Sequence, residues 1–104
     1  MTLRLHFLYY DHVMKYVWDE NKNRSNQKKH FISFEEAQAL LEIGHYVYFV
    51  DTSKDEERFM AIGLSPKARI LTVIYLYREE DLIRIVSARK ATKKERIIWE
   101  REKK

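Results

Sequence analysis

Residues 20–30 read ENKNRSNQKKH and contain no apolar side chain, yet these residues and their neighbours predict a helix. The run has no Gly or Pro, and Asp19 stands where a helix N-cap is expected. Trp18 and Phe31 flank it on either side. We expect the helix to end near Lys29, and it has no apolar stripe with which to dock.

This predicted helix carries a polar face. Lys22, Asn26, Lys29 and His30 recur at helical spacing and share that face. Two cations, an amide and an imidazole in one row suit the binding of an anion. The alternative is a charged face that is simply solvated.

A strand is expected before this helix and a second helix after it. Lys15–Trp18 is short and rich in aromatic and β-branched residues, as strands are. Ser33–Glu36 has the pattern of a capping box and opens a helix through about Ile43, where Gly44 provides a stop. The helical spacing is carried by Phe34, Ala37, Leu40 and Leu41.

The second half of the chain predicts an antiparallel meander. Its strands are expected at Tyr46–Val50, Arg58–Leu64, Ile70–Tyr77 and Ile83–Ala88. An acidic loop, Thr52–Glu56, follows the first of these strands. Hairpin turns are expected at residues 65–68 and 78–81.

A last helix completes the predicted fold. Thr92–Glu95 is a second capping box, and Ile97 and Ile98 are the expected apolar anchors. A strand, two helices, a meander and a final helix indicate a single α+β domain, which we place at residues 14–104. Residues 1–13 are either an upstream extension or, through Leu3–Tyr9, an added edge strand.

Composition narrows the possible chemistry. The 104 residues are 45% hydrophobic, which supports one core, and they include two Gly, one Pro and no Cys. Disulfides, thiolate metal sites and a P-loop are therefore excluded. No zinc-binding spacing occurs among His6, His12, His30 and His45. We expect no metal, no cofactor and no membrane span, and a reducing cytoplasm fits the absence of Cys.

Charge is distributed unevenly along the chain. Residues 14–34 carry five Lys or Arg against two acids, and residues 87–104 carry eight against three. Between them, residues 35–57 carry one Lys against seven acids. Two basic segments around an acidic one favour a polyanion partner such as RNA, although basic tails are also common on proteins without one.

Cleavage of RNA by its own 2′-hydroxyl needs only cations and groups that move protons. His30 is a candidate for proton transfer. The candidate cations are Lys22, Lys29, Arg58, Arg84 and Arg89. Arg84 and Arg89 would face opposite sides of an unbroken strand, so a bulge or an earlier strand end is needed to bring both to one site.

Each candidate also has a purely structural interpretation. His30 would interact with the dipole at a helix C-terminus. Arg58 would be an ion-paired strand residue, and Arg84 a surface strand residue. Asp19 would be a helix cap only, and Trp18 would be a core residue rather than a stacking platform for a base.

Three spaced motifs together resemble the BrnT family of toxins. They are Trp18-Asp19-x-x-Lys22-x-x-x-Asn26-x-x-Lys29-His30-x-x-Ser33-Phe34-Glu35-Glu36-Ala37, Glu57-Arg58-x-x-x-Ile62-Gly63, and Arg84-Ile85-Val86-Ser87-Ala88-Arg89-x-Ala91-x-x-x-Glu95-Arg96. The resemblance runs from about Met14 to Arg96, in matching order. The chain departs from the family pattern at Phe31, where relatives usually have a Gly that permits a left-handed helix end.

The resemblance implies a RelE-like fold and a ribonuclease toxin that arrests translation in the cytoplasm. It also implies a BrnA-like antitoxin with a DNA-binding domain. The toxin would contact operator DNA only through this antitoxin. The catalytic residues that the resemblance implies are Lys22, Lys29, His30, Arg58, Arg84 and Arg89. We also expect RNA contacts from Asn26, Lys28 and Lys90. The alternative function is a non-catalytic module that binds RNA or a partner on the same scaffold.

Overall fold

The computed structural model describes residues 13–52 and 55–103. Residues 1–12, which hold most of the predicted extension with Leu3–Tyr9, and residues 53–54 of the predicted acidic loop lie outside the described residues. The elements are β1 (Lys15–Val17), α1 (Glu20–His30), α2 (Phe34–Ile43), β2 (Tyr46–Asp51), β3 (Arg58–Leu64), β4 (Ile70–Glu79), β5 (Leu82–Lys90) and α3 (Lys93–Glu102).

These elements form an α+β fold around one mixed sheet, which confirms the predicted class. The five strands lie in the order β1-β5-β4-β3-β2. Strands β2 to β5 form the predicted antiparallel meander. Strand β1 instead pairs in parallel with β5, with Val17 opposite Arg84, so it is the outermost of the described strands on that side of the sheet.

The sheet is packed on both faces. On one face, α1 and α2 cover the main core, in which Ile32, Phe34 and Leu40 are fully buried. On the other face, α3 covers a smaller cluster around Ile62 and Trp99. Because α3 has only ten residues, it covers only part of that second face.

Helix α1 docks through amides rather than through an apolar stripe. Asn23 and Asn26 are its buried residues, at 1% and 8% exposure. The side-chain oxygen of Asn23 accepts from the Phe34 N–H at 2.9 Å. Asn26 Nδ2 donates to the carbonyls of Ala88, at 2.7 Å, and Ile32, at 2.9 Å, and its oxygen accepts from the Ala88 N–H at 3.3 Å. The polar helix is thus held by hydrogen bonds from its amide side chains to backbone groups. Buried backbone N–H and C=O groups need such partners, and here Asn23 and Asn26 supply them.

The end of α1 has the left-handed backbone that a Gly would favour. Phe31 adopts φ 61° and ψ 28°, and its side chain is 76% exposed. Its N–H donates to the carbonyl of Gln27 at 2.9 Å, so Phe31 is the C-cap of the helix that ends at His30. A Phe therefore occupies a conformation that costs an L-residue about 1–2 kcal/mol.

Two local expectations were wrong in part. Ser33 caps α2 as predicted, by accepting from the Glu36 N–H at 3.1 Å. The Glu36 side chain does not return to the cap, because it accepts from Ser65, at 2.6 Å, and forms an ion pair with Arg69. In α3 the buried anchor is Trp99, whereas Ile97, a predicted anchor, is 52% exposed.

Candidate active site

A cationic groove lies on the face of the sheet that α3 leaves partly open. Its volume is about 290 Å³, and we call it the cationic groove throughout. Four of its lining side chains are cations, one each from α1, β3, β4 and β5, together with one carboxylate and two aliphatic residues. The lining residues are Lys22, Glu56, Arg58, Leu76, Arg78, Arg84 and Val86.

Strand register sets the spacing of the groove arginines. Leu76 pairs with Arg84 across β4 and β5, and Phe59 pairs with Tyr75 across β3 and β4. Arg58, one residue before Phe59, therefore lies level with Leu76 and faces the same side of the sheet as Arg84. Two strand spacings, about 10 Å, separate the two backbones, which long Arg side chains span.

The groove has hydrogen-bonding capacity that the protein does not use. Among residues 13–52 and 55–103, Arg58 Nε is buried and finds no hydrogen-bond partner. A buried donor left unpaired costs about 1–3 kcal/mol, which an anionic acceptor in the groove would recover. Glu56 is the carboxylate of the groove, and its ion pair with Arg78 is long, at 3.9 Å, with both side chains about half exposed. It therefore offsets little of the positive charge of the groove arginines.

Lys22 reaches the groove because of the cap of α1. The Asp19 carboxylate accepts from the backbone N–H groups of Asn21, at 2.8 Å, and Lys22, at 3.2 Å. These bonds fix the first turn of the helix over the sheet edge. Strand β1 ends at Val17, so β5 is left uncovered beyond Arg84 and the Lys22 side chain can lie over it.

A β-bulge interrupts β5 between Arg84 and Arg89, and it is one of the two irregularities that could bring both side chains to the same face of the sheet. Ile74 pairs with Ser87 and Tyr75 pairs with Ile85, which leaves Val86 without a partner. The extra residue reverses the alternation of β5, so that both arginines face the α3 side of the sheet. They still lie about 15 Å apart along the strand, and only Arg84 lines the groove.

Arg89 instead forms an ion pair with Glu95 on α3. Its guanidinium donates to both carboxylate oxygens of Glu95, at 2.7 and 3.0 Å. Glu95 also accepts from Thr72 Oγ1, at 2.8 Å, and from the Thr92 N–H, at 2.9 Å. The hydrogen bonds from Arg89 are the main reason that the pKa of Glu95 is lowered to about 2, and the same bonds raise the pKa of Arg89. Arg89 anchors the last helix and is not a free cation.

The other predicted site residues also lie away from the groove. Asn26 bonds to Ala88, so α1 runs along β5, with Lys22 near Arg84 and the end of the helix toward Lys90. Lys29 is about 10 Å from Lys22 along the helix axis. Of the predicted set, the groove brings together Lys22, Arg58 and Arg84, and it leaves out Asn26, Lys28, Lys29, His30, Arg89 and Lys90.

Sequence reasoning missed two groove residues. Glu56 was assigned only to an acidic loop, and Arg78 only to a turn. Arg78 lies two residues after Leu76, so both face the same side of β4. This signal was missed because β4 extends to Glu79, further than expected. Nothing local marked Glu56, because its place beside Arg78 and Arg84 depends on residues that are distant in sequence.

Neither metal ligands nor membrane spans stand out in the described part of the chain. Within residues 13–52 and 55–103, no three His, Asp or Glu side chains converge in a way that could hold a metal ion. None of the helices described is long and apolar enough to cross a membrane.

Comparisons with known proteins agree with the geometry. The family model described as "Ribonuclease toxin, BrnT, of type II toxin-antitoxin system" matches residues 18–95. The crystal structure of the Brucella abortus ribonuclease toxin BrnT superposes with a TM-score of 0.63 at 28% identity, over 78% of this chain and 100% of that one. No curated protein sequence matches the chain significantly. The fold, the three motifs and the matched range agree, and the chain belongs to the BrnT family of ribonuclease toxins of type II toxin–antitoxin systems.

Proposed function

We propose that this toxin cleaves RNA without a metal ion and that the cationic groove binds the scissile phosphate. The observation that carries the proposal is the buried Nε of Arg58, which has no partner within the described part of the chain and lies in a groove shared with Lys22 and Arg84. Phosphate oxygens are the acceptors that a planar guanidinium binds best. Three cations around one phosphate would also stabilise the extra negative charge of the pentacoordinate transition state.

Glu56 is the proposed proton acceptor, since it is the carboxylate among the groove residues. It takes the proton of the 2′-hydroxyl, and the 2′-oxygen attacks the adjacent phosphorus. The bond from phosphorus to the 5′-oxygen breaks, and the leaving oxygen takes a proton from the Lys22 ammonium. The products are a 2′,3′-cyclic phosphate and a 5′-hydroxyl, and exchange with water returns both side chains to their starting states.

Lys28, Lys29, His30 and Lys90 serve a different purpose in this proposal. They lie toward the far end of α1 and β5, along the direction in which an RNA strand leaving the groove would run. These side chains would contact the phosphate backbone of the RNA, so they would contribute to binding affinity and not to the cleavage step. Asn26 and Arg89 are omitted, because their polar groups are already bonded within the protein.

The cellular role follows from the family. A type II toxin has an antitoxin partner, and we propose a BrnA-like protein whose DNA-binding domain alone contacts operator DNA. Cleavage of RNA would inhibit translation, which places the action in the cytoplasm. An acidic segment of the antitoxin in the cationic groove would block RNA, and its binding should weaken with added salt.

The test is RNA cleavage by the purified chain in EDTA, with analysis of the product ends. Arg58→Ala and Arg84→Ala should each lower turnover by about 10²-fold, as expected for the loss of one charge-stabilising donor. Arg101→Ala, an exposed position on α3, is the control for general loss of charge. Glu56→Gln should also be inactive, with Glu57→Gln as its matched control from the same loop.

Two results would reject the mechanism. Activity that is lost in EDTA and restored by a divalent ion would show that a metal takes part. RNA binding without cleavage in every condition would favour a non-catalytic binding module on this scaffold.

A further inference from the structure

A second recess adjoins the cationic groove on the other side of Arg84. It has a volume of about 260 Å³ and is lined by Val17, Trp18, Asp19 and Arg84. Arg84 also lines the groove, so the two recesses share this residue. A ribonucleotide likewise consists of a phosphate and a flat base joined through one sugar. The groove and the recess therefore offer neighbouring places for a phosphate and for a base.

The walls of this second recess suit a base. Val17 is an apolar side chain left 41% exposed on the edge strand. The Trp18 ring packs edge-on against Phe34, with centroids 6.0 Å apart, and its N–H donates to Glu20 at 3.0 Å. These contacts hold the half-buried indole in place. An immobilised aromatic ring beside an apolar side chain is a common seat for an unstacked RNA base.

Asp19 gives the recess a chemical preference. Its exposed carboxylate has only acceptor atoms, and Oδ1 already receives the N–H groups of Asn21 and Lys22. Guanine presents two adjacent N–H donors on its Watson–Crick edge. Adenine and cytosine place an acceptor beside their donor, and uracil has one donor between two acceptors. A carboxylate therefore pairs favourably with guanine and repels an acceptor of each other base.

We propose that this recess binds a guanine that flanks the scissile phosphate, and that Asp19 selects it. The proposal rests on the proposed function of the groove. It gives Asp19 a role in specificity besides that of the helix cap.

The test compares oligoribonucleotides that differ only in the bases flanking one cleavage position. The wild-type chain should cleave the guanine substrate about tenfold faster or more, because Asp19 Oδ2 can accept both adjacent N–H groups of guanine. Asp19→Asn should reduce that preference to about threefold or less, because the amide places a donor against guanine. Asn caps helices as well as Asp does, so the melting temperature should not change.

Two further variants keep the result interpretable. Asp19→Ser also supplies a helix cap and lacks the carboxylate, so it should lose the preference in the same way. Asp55→Asn makes the same change of charge at an exposed position outside the recess and should keep the wild-type preference.

The proposal is overturned if wild-type protein cleaves all four substrates equally, or if folded Asp19 variants keep the preference. It is also overturned if those variants slow cleavage of every substrate to the same degree. If the wild-type chain cleaves none of the RNAs, the proposed function fails first and the guanine recess fails with it.

Discussion

Replacing Arg89 with Ala should destabilise the protein rather than disable its chemistry. Arg89 holds Glu95 through two hydrogen bonds, and Glu95 in turn bonds to Thr72 on the sheet and to the Thr92 cap. Removing the guanidinium leaves a carboxylate with 14% side-chain exposure without its cation. We therefore expect α3 to dock less firmly on the sheet.

The magnitude follows from the pKa of Glu95, which falls from 4.5 to about 2 mainly because of Arg89, while burial opposes the shift. At about 1.4 kcal/mol per pKa unit, this difference corresponds to at most about 3.5 kcal/mol. Arg89 is one-third exposed, so solvent screening reduces the contribution to about 1–2 kcal/mol. In a domain of this size that lowers the melting temperature by about 5–15 °C.

The same pair predicts how the difference varies with pH. The folded-state pKa of Glu95 lies below its unfolded value, so the pair contributes fully above about pH 4.5. The contribution is lost as the pH falls from 4.5 toward 2. Thermal unfolding at pH 7 and pH 3 should therefore show a gap between wild type and Arg89→Ala that narrows in acid.

Lys90→Ala is the control, since it removes a neighbouring but exposed charge and should unfold close to wild type. A variant at Arg89 that melts like the wild type yet no longer cleaves RNA would refute this reasoning. In that case Arg89 would act in catalysis despite its bonds to Glu95, and the groove would be only part of the active site.

Three further changes test other parts of the fold by thermal or denaturant unfolding. Phe31→Gly should raise stability by about 0.5–1 kcal/mol, because Gly relieves the left-handed backbone and the exposed ring packs little; an unchanged or lower stability would contradict that. Asn26→Ala should cost about 2–4 kcal/mol, because backbone groups of Ala88 and Ile32 lose their partner; a cost within about 0.5 kcal/mol would refute amide docking. A chain that starts at Met14 should still unfold cooperatively, since Met14 packs on the core while Val13 is exposed, and loss of cooperativity would show that residues 1–13 are structural.

Helix boundaries were predictable because their signals are local. Asp19, Ser33 and Thr92 cap the three helices at the predicted positions, and Gly44 ends the second with φ 85°. Strand β3 also has its predicted bounds. Strand β4 runs on to Glu79 because the hairpin pairs Glu79 with Leu82, which composition alone did not show.

The candidate site was only partly predictable, because local spacing does not show which partner a charge will find. The spacing of Arg84 and Arg89 pointed to a bulge or an earlier strand end if both were to reach one site; the bulge is present, but only Arg84 lines the groove. Both Arg89 and Glu95 were visible in the sequence, but their ion pair forms only when α3 folds back over β5. Arg58 lies in the groove only because of the register of β3, β4 and β5. No single segment of the sequence determines that register.

Helix α1 explains how a polar segment can build such a site. Strand β1 covers only residues 82–84 of β5, so the backbone of Ala88 would lack a partner at that edge. The Asn26 amide supplies both a donor and an acceptor to Ala88, as a neighbouring strand would. The helix therefore needs no apolar stripe, and its exposed positions are free to carry cations. Its N-terminal turn then lies beside Arg84, which is why Lys22 reaches the groove while Lys29 and His30 do not.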